Sequence, residues 1–279
     1  MEKPSDEVVA ELVANVIKSS DRKMKIKATL LRVYHLAIHN KFYESKDLLM
    51  KARLSQIIAK QQISNQILYN RAIVQIGLCA FRLGLFDECN QILVDVCQSP
   101  KLKESLSQGT SNFARQQEKT LEEEIEEKKR YVPPHLHVNL EMLDCVYMTT
   151  SMFLEIPNLV QNKTTIGKKV INRNFRKLIE QYDMKGIQFV PQNSRDYIVF
   201  AARNMHKSNW QEAFNCICHV KIFSKLPEFQ SGSLKDALLL KLKECSLKIF
   251  LIDSKNQYDS HSLAIIKEQF KLEEAPIVK

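Results

Sequence analysis

The feature that most constrains the fold of this 279-residue chain is an apolar stretch from Tyr131 to Pro157. It opens with Pro133-Pro134, a pair that the interior of a helix excludes. Asn139 follows and can accept a hydrogen bond in the first turn of a helix, so a helix is predicted to begin there. Pro157 is predicted to end that helix.

Apolar residues surround most of the axis of this predicted helix. Its charged residues share one narrow strip, and all are acidic: Glu141, Asp144 and Glu155. A helix that is apolar nearly all round packs against other helices on both sides, so we expect the central rod of an all-α array. The residues predicted for its core are Leu143, Tyr147 and Phe153. At about 17 residues with three acids, it is too short and too charged to span a bilayer.

The composition also favours α-helices. The chain has 6 glycines, lacks the regular Val, Ile or Thr alternation of strands, and is 44% apolar, enough for a core. Seven cysteines, an odd number without framework spacing, indicate reduced thiols and a cytoplasmic protein. The sequence predicts neither a secretory signal nor a membrane-spanning run, so we expect no membrane partner. A formal net charge of +9 favours an acidic partner such as nucleic acid without identifying one.

A recurring pattern marks three points at which one helix is predicted to turn back into the next. Phe42, Phe86 and Trp210 each follow a short polar turn. Each has a small residue three positions later: Ser45, Cys89 and Ala213. Gly77 and Ala201 lie nine residues before the second and third aromatic residue, where helices could approach closely. The pattern is typical of a tetratricopeptide-like helical-hairpin solenoid, although three unrelated hairpins would also give an all-α protein.

Signals for catalysis, cofactors or metals are weak. The sequence has no glycine-rich phosphate loop. His135 and His137 could form a ligand pair, but no second pair lies nearby, so we expect them to pack or cap at the start of the central helix. Cys216 and Cys218 would face apart on a helix and are interpreted as core thiols. We therefore predict no enzyme activity, no cofactor, no metal and no small-molecule substrate.

The densest basic segment runs from Lys163 to Lys185, with seven basic and two acidic residues, a net charge of +5. On a helix its basic face carries Lys169, Arg173, Arg176 and Lys177. The opposite face carries the residues that would dock such a helix: Ile171, Phe175, Leu178 and Tyr182. A basic face of this kind can neutralise phosphates without reading bases, so it is a candidate contact for RNA or for an acidic protein. An ordinary solvated surface stays open as the alternative.

Two blocks of the sequence resemble a known family. The first, VPPHLHVNLEMLDCVYMTTSMFLEIP, contains in order a Val-Pro, a His-x-His, an Asn-Leu-Glu and a Leu-Glu-Ile-Pro. The second, QILYNRAIVQIGLCAFRLGLFDECNQILVDV, begins at Gln66 and is similar to a helical hairpin upstream in the same family. In this order and at this separation, the blocks resemble the carboxy-terminal helical region of the c-type component of eukaryotic translation initiation factor three.

The resemblance implies a proteasome–signalosome–initiation-factor (PCI) domain whose helices lead into a winged helix. Helical hairpins would occupy 1–115, a charged linker or exposed helix 116–130, the central helix and carboxy-terminal repeats 131–257, and an incomplete winged helix 258–279. The residues expected to lack a second apolar layer there, and so to form a subunit interface, are Leu263, Ile266, Phe270 and Leu272. Because members of the family are longer, either this chain is a fragment of a longer polypeptide or the gene is reduced, and we expect a fragment.

The implied function is that of a structural scaffold in translation initiation. The chain would hold sister subunits of the factor together, especially the a-type PCI component. It would also dock the factor on proteins of the small ribosomal subunit, with rRNA as a further contact. Two alternatives stay open: a stand-alone helical-repeat adaptor that binds peptides, and a PCI subunit of a related proteasome-lid or signalosome-like complex.

Overall fold

A computed structural model describes residues 5–18, 21–99, 101–109, 120–161, 170–184, 190–255 and 257–272. Every regular element in these ranges is helical, which confirms the predicted all-α class. The helices are α1 (Ser5–Lys18), α2 (Arg22–Ile38), α3 (Phe42–Lys51), α4 (Leu54–Ile57), α5 (Ile63–Arg82), α6 (Phe86–Cys97), α7 (Leu102–Ser105), α8 (Leu121–Arg130), α9 (Leu140–Gln161), α10 (Arg173–Met184), α11 (Ser194–His206), α12 (Trp210–Cys218), α13 (Pro227–Gln230), α14 (Ser233–Ser254) and α15 (Leu263–Phe270). Within these described helices, none is long and apolar enough to cross a membrane.

The chain divides into two compact units, residues 1–143 and 144–279. In the first unit, α2 packs against α1, α3 and α5, and α5 also packs against α3 and α6. In the second unit, α11 packs against α10, α12 and α14, while α12 and α13 pack against α14. Each unit buries its own aromatic residues, with Phe42 and Phe81 in the first and Phe223 and Phe270 in the second.

The same tight turn joins α2 to α3, α5 to α6 and α11 to α12. One residue of each turn has a left-handed backbone: Asn40 at φ 60°, Gly84 at φ 77° and Ser208 at φ 59°. The following residue donates its N–H to a carbonyl five residues earlier: Lys41 to Leu36 at 3.0 Å, Leu85 to Ala80 at 2.9 Å and Asn209 to Asn204 at 3.0 Å. This hydrogen bond defines a Schellman motif, which closes one helix and lets the chain reverse.

The recurring sequence pattern corresponds to these three turns. Its aromatic residue begins the return helix each time, since α3 starts at Phe42, α6 at Phe86 and α12 at Trp210. The small residues three positions later, where the two helices of a pair meet, are all fully buried: Ser45, Cys89 and Ala213. The three helix pairs therefore share one turn geometry as well as one sequence pattern.

Gly77 allows α5 and α6 to approach closely, as predicted. A Cβ atom at this position would lie 2.4 Å from Cδ2 and 2.6 Å from Cγ of Leu93, distances that carbon atoms do not adopt. Leu93 has no exposed surface, so the core around it offers no free volume into which it could move. The predicted close approach at Gly77 is thus confirmed.

The central helix α9 is buried nearly all round, as its apolar sequence predicts. From Leu143 to Phe153 every residue except Asp144 is buried. Asn139 caps the helix, because its side-chain oxygen accepts the N–H groups of Glu141 at 3.0 Å and of the next residue at 3.2 Å.

Pro157 does not end α9, so that prediction is wrong: the helix continues to Gln161. Proline lacks the N–H that would normally bond to the carbonyl of Phe153, four residues earlier. The thiol of Cys245, from α14, donates to that oxygen at 3.7 Å. A replacement donor of this kind lets a helix continue through proline.

The terminal helix α15 is covered from within the chain. Three of its expected interface residues are buried in a cluster with Leu247: Ile266, Phe270 and Leu272. Trp210, Phe250 and Leu251 pack against the same cluster. The expectation that these three side chains lack an apolar layer is therefore wrong, because α14 and the start of α12 supply one. Leu263, the fourth residue, is 50% exposed.

The charged run forms an exposed helix where the structure describes it. α8 begins with a capping box, in which Glu123 N–H donates to Thr120 Oγ1 at 3.4 Å and Thr120 N–H to Glu123 Oε2 at 3.2 Å. Even its apolar residues Leu121 and Ile125 are 79% and 52% exposed. Residues 116–119 of the expected 116–130 segment lie outside the described residues.

Candidate functional site

The basic segment predicted from the sequence lies on α10 and the turn before it. Arg173 and Lys177 are exposed, whereas the Arg176 side chain is only 16% exposed. Phe175 is fully buried and docks the helix in the second unit. Lys169, the fourth predicted basic residue, lies outside the described residues. Within the described part of the segment, the outward basic face consists of Arg173 and Lys177.

Arg176 is turned towards α9. Its Nη1 lies 3.9 Å from Oε1 of Glu155, and its Nε donates to Oε1 of Glu180 at 3.3 Å. A guanidinium held between two carboxylates loses much of its ability to bind a further anion. Arg176 therefore differs from its two basic neighbours, although the helical pattern groups all three on one face.

The carboxylate of Glu155 is fully buried in α9. Its Oε2 accepts the backbone N–H groups of Ile171 and Asn172, each at 3.0 Å. Burial of a charge is costly, and the two N–H groups and the positive charge of Arg176 offset part of that cost, while Oε1 accepts no hydrogen bond from the described residues. The sequence pattern places Glu155 on the acidic strip of the central helix but does not identify these partners, because they lie 16 or more residues further along the chain.

Asn172 completes a buried polar network at the start of α10. Its Nδ2 donates to the hydroxyl oxygens of Tyr147 at 2.7 Å and Ser151 at 2.5 Å, both on α9. Its Oδ1 accepts the N–H of Phe175 at 3.1 Å, which caps the first turn of α10. Tyr147, predicted from the sequence as a core residue, is 2% exposed, and Leu143 and Phe153 are 0% and 3% exposed.

Two polar contacts hold the other end of α10 to α11. Arg203 donates to Asp183 at 2.8 Å, and the Tyr182 hydroxyl donates to Asp196. Burial, followed by that hydrogen bond and the negative charge of Asp196, raises the pKa of Tyr182 to about 12. Burial alone would raise the pKa of Asp196, but its hydrogen bonds from Tyr182 and from the backbone of Asn193 and Gln192 outweigh it and lower this pKa.

A cavity of about 650 Å³ lies between α9, α10 and α11. Its apolar lining includes Ile156, Leu159, Ile179 and Ala202, and charged residues such as Asp183 and Arg203 stand at its rim. A second cavity of about 670 Å³ lies where the α11–α12 turn meets the end of α14. His206 and Lys207 line both cavities.

Of the four apolar residues that the sequence predicted for the interface, only Leu263 lies on the exposed surface of α15, where Ile265 joins it. Leu263 is 50% exposed and Ile265 is 65% exposed. The buried residues Ile266 and Phe270 hold the helix on α14 and leave these two side chains on its outer surface. An exposed apolar surface on α15 is therefore small and lies at its first turn.

The two histidines of the His-x-His motif lie in the segment before α9, and both are exposed. His137 forms a hydrogen bond of 2.7 Å between its Nε2 and the carbonyl oxygen of Val132. In the part of the chain that the structure describes, no group of three His, Cys, Asp or Glu side chains is placed to hold a metal ion.

These elements define an all-helical protein that is built from antiparallel helix pairs and carries a basic surface helix. A family model described as "Eukaryotic translation initiation factor 3 subunit 8 N-terminus" matches residues 1–166 of the chain. The chain belongs to this family, which confirms the family predicted from the sequence, although the model describes the N-terminus and not the carboxy-terminal region. The family consists of subunits of a translation initiation factor and is not a family of enzymes.

Similar proteins, each named as the C subunit of eukaryotic translation initiation factor 3, occur in several fungi. The relative from Yarrowia lipolytica is 34% identical over 95% of this chain and 31% of its own length. The relative from Aspergillus fumigatus is 35% identical over 98% of this chain and 31% of its own length. The relative from Neurospora crassa is 35% identical over 92% of this chain and 30% of its own length. The chain thus spans about a third of the length of these relatives.

Proposed function

We propose that this chain is a scaffold element of translation initiation factor 3, which joins sister subunits and helps to dock the factor on the small ribosomal subunit in the cytoplasm. Membership of the family is the observation that carries this proposal. The architecture is compatible with it, because helix pairs with exposed outer faces suit the binding of neighbouring proteins. The partners are other subunits of the factor, especially the a-type PCI component, and proteins of the small ribosomal subunit.

The proposed architecture is a degenerate tetratricopeptide-like stack that leads into the PCI part of the protein. The three shared turns at Asn40, Gly84 and Ser208 support a repeated hairpin. We assign the hairpins to 1–115, the exposed charged helix to 116–130, the central helix and later repeats to 131–257, and the start of a winged helix to 258–279. In this assignment α15 is the first winged-helix element, and Leu263 with Ile265 forms the exposed apolar part of the subunit interface.

The basic face of α10 is the proposed contact for phosphates of ribosomal RNA. Arg173 and Lys177 are exposed, while Arg176 is engaged by Glu155 and Glu180. Each phosphate neutralised on single-stranded or looped RNA contributes about −0.7 to the slope of log affinity against log salt. Two such contacts therefore contribute about −1.4, which supports binding without reading the base sequence.

The test replaces only the outward cations, in the assembled factor that carries this chain. Arg173→Glu/Lys177→Glu should leave assembly intact and weaken binding to the small ribosomal subunit. The slope of log affinity against log salt should become less negative by about 1.4. Lys221→Glu/Lys225→Glu is the matched control, because both lysines are exposed and the charge change is the same. Arg176 is left unchanged, since its loss would also disturb the buried carboxylate.

The outcomes separate three interpretations. Weaker binding with a flatter salt slope in the test variant alone supports an RNA contact. A failure of assembly in the test variant alone would identify the basic face as a protein interface and overturn the RNA contact. Equal behaviour of the two variants would show that α10 is an ordinary solvated surface.

A further inference from the structure

We infer that Glu155 is the positioning residue that fixes the N-terminus of α10 and thereby the direction of its basic face. The part of this inference that concerns binding rests on the proposed function, whereas the part that concerns the position of α10 does not. Glu155 belongs to α9 and touches no proposed ligand, so it would act through the helix that it holds.

The geometry at Glu155 is that of a built anchor. One carboxylate oxygen accepts two consecutive backbone N–H groups, from Ile171 and Asn172, at 3.0 Å each. The N–H groups at the start of a helix have no partner within the helix and carry partial positive charge, so a carboxylate is the complementary group. The other oxygen lies 3.9 Å from the guanidinium of Arg176, one turn into α10.

This anchor also sets the rotation of α10 about its axis. Successive residues of an α-helix are about 100° apart, so Arg173 lies about 60° and Lys177 about 100° from Arg176 in the same direction. With Arg176 facing Glu155 at 3.9 Å, both other cations are turned outward, as their exposure shows. The buried ring of Phe175 and the hydrogen bonds of Asn172 support the same orientation.

The far end of α10 has separate contacts. Tyr182 donates to Asp196, and Asp183 accepts from Arg203, both on α11. Loss of the Glu155 anchor should therefore release the first turns of α10 while its last turn stays attached. This gives the inference a local signature that general destabilisation would not produce.

The test compares Glu155→Gln with Glu141→Gln, a change of the same chemistry at an exposed position of the same helix. The first readout is amide hydrogen exchange of the chain. Glu155→Gln should accelerate exchange between residues 173 and 179 by about tenfold, as expected when a charge-assisted hydrogen bond becomes a neutral one. Exchange in α14 and in the first unit should stay as in the control variant. Unchanged exchange at the start of α10 would overturn the inference.

The second readout is binding of a single-stranded RNA oligonucleotide as a function of salt. Glu155→Gln raises the net charge by one, so simple electrostatics predicts tighter binding than in the unaltered chain. Glu141→Gln adds the same charge and should bind slightly more tightly than the unaltered chain, whereas positioning predicts the opposite sign for Glu155→Gln: weaker binding and a flatter salt slope. If exchange accelerates but RNA binding follows the added charge, the inferred anchor stands and the proposed phosphate contact fails.

If Glu155→Gln does not fold, Glu155→Asp allows the same comparison. Glu155→Asp keeps the charge and shortens the side chain by one methylene, so it moves the carboxylate away from the N–H groups without leaving an uncharged group at the site. It should give the same local acceleration at the start of α10, with Glu141→Asp as its control. A uniform acceleration across both units would show a general packing role and overturn the positioning role.

Discussion

The close contact between α5 and α6 predicts that a methyl group added at Gly77 destabilises the fold. Removal of the Leu93 side chain should reverse that effect. Gly77→Ala places a methyl carbon 2.4 Å from Cδ2 and 2.6 Å from Cγ of Leu93. Cγ moves only when χ1 rotates, and because Leu93 is fully buried such a rotation would carry its methyl groups into neighbouring atoms. Overpacking of this kind costs about 1–3 kcal/mol. Alanine gains about 1 kcal/mol over glycine within a helix, so the net effect should lie between about zero and a loss of about 2 kcal/mol in the free energy of unfolding.

The assay is urea unfolding of the chain in a thermodynamic cycle with Leu93→Ala. Removal of the leucine side chain should itself cost about 2–5 kcal/mol. That background lacks the three atoms nearest to the added methyl group, so Gly77→Ala should now stabilise the fold by about 1 kcal/mol. A Gly77→Ala variant that is about 1 kcal/mol more stable than the unaltered chain would refute the close approach, and so would an effect of equal size in both backgrounds.

Three further predictions concern the second unit and the central helix. Phe153→Asp should abolish folding, because it puts a charge at a site with 3% exposure. Glu141→Ala, at an exposed site of the same helix, should reduce stability only slightly. The helical content of the two variants is compared by circular dichroism. Phe270→Ala should lower the free energy of unfolding by about 3–5 kcal/mol, as measured by thermal unfolding. Leu263→Ser should leave stability nearly unchanged. The proposed interface predicts that Leu263→Ser weakens capture of the partner subunit. The raised pKa of Tyr182 should stabilise the fold fully below about pH 10, the pKa of tyrosine in the unfolded chain. That stabilisation should be lost as the pH rises towards about 12, the pKa of Tyr182 in the folded chain. Tyr182→Phe should remove this part of the pH dependence of stability.

The parts of the fold that sequence predicted well depend on residues close together along the chain. The cap at Asn139 and the turn at Gly84 each involve hydrogen bonds within about one helical turn, so local residue types determine them. The close approach at Gly77 was predictable for a related reason: its position relative to Phe86 is fixed by helix geometry. The all-round burial of α9 followed from its apolar periodicity.

The parts that sequence could not predict depend on contacts between distant residues. A helical wheel places Arg176 with the exposed cations, but it carries no information about the Glu155 carboxylate beside it. Pro157 usually marks a helix end, and only the position of Cys245 in space shows how α9 continues. The family expectation for α15 assumed a missing second layer, whereas α14 of the same chain provides it around Phe270.

The Schellman turns have a consequence for how such a chain can evolve. Three different residues, Asn40, Gly84 and Ser208, occupy the left-handed position without changing the hydrogen bond that closes the turn. The corner is therefore specified by backbone bonding more than by one required amino acid. A turn that accepts several residue types can be duplicated and can then diverge in sequence, while the same hydrogen bond still reverses the chain. Such a protein can therefore grow by duplication of whole hairpins. The copies keep their turns, while their exposed faces acquire new partners.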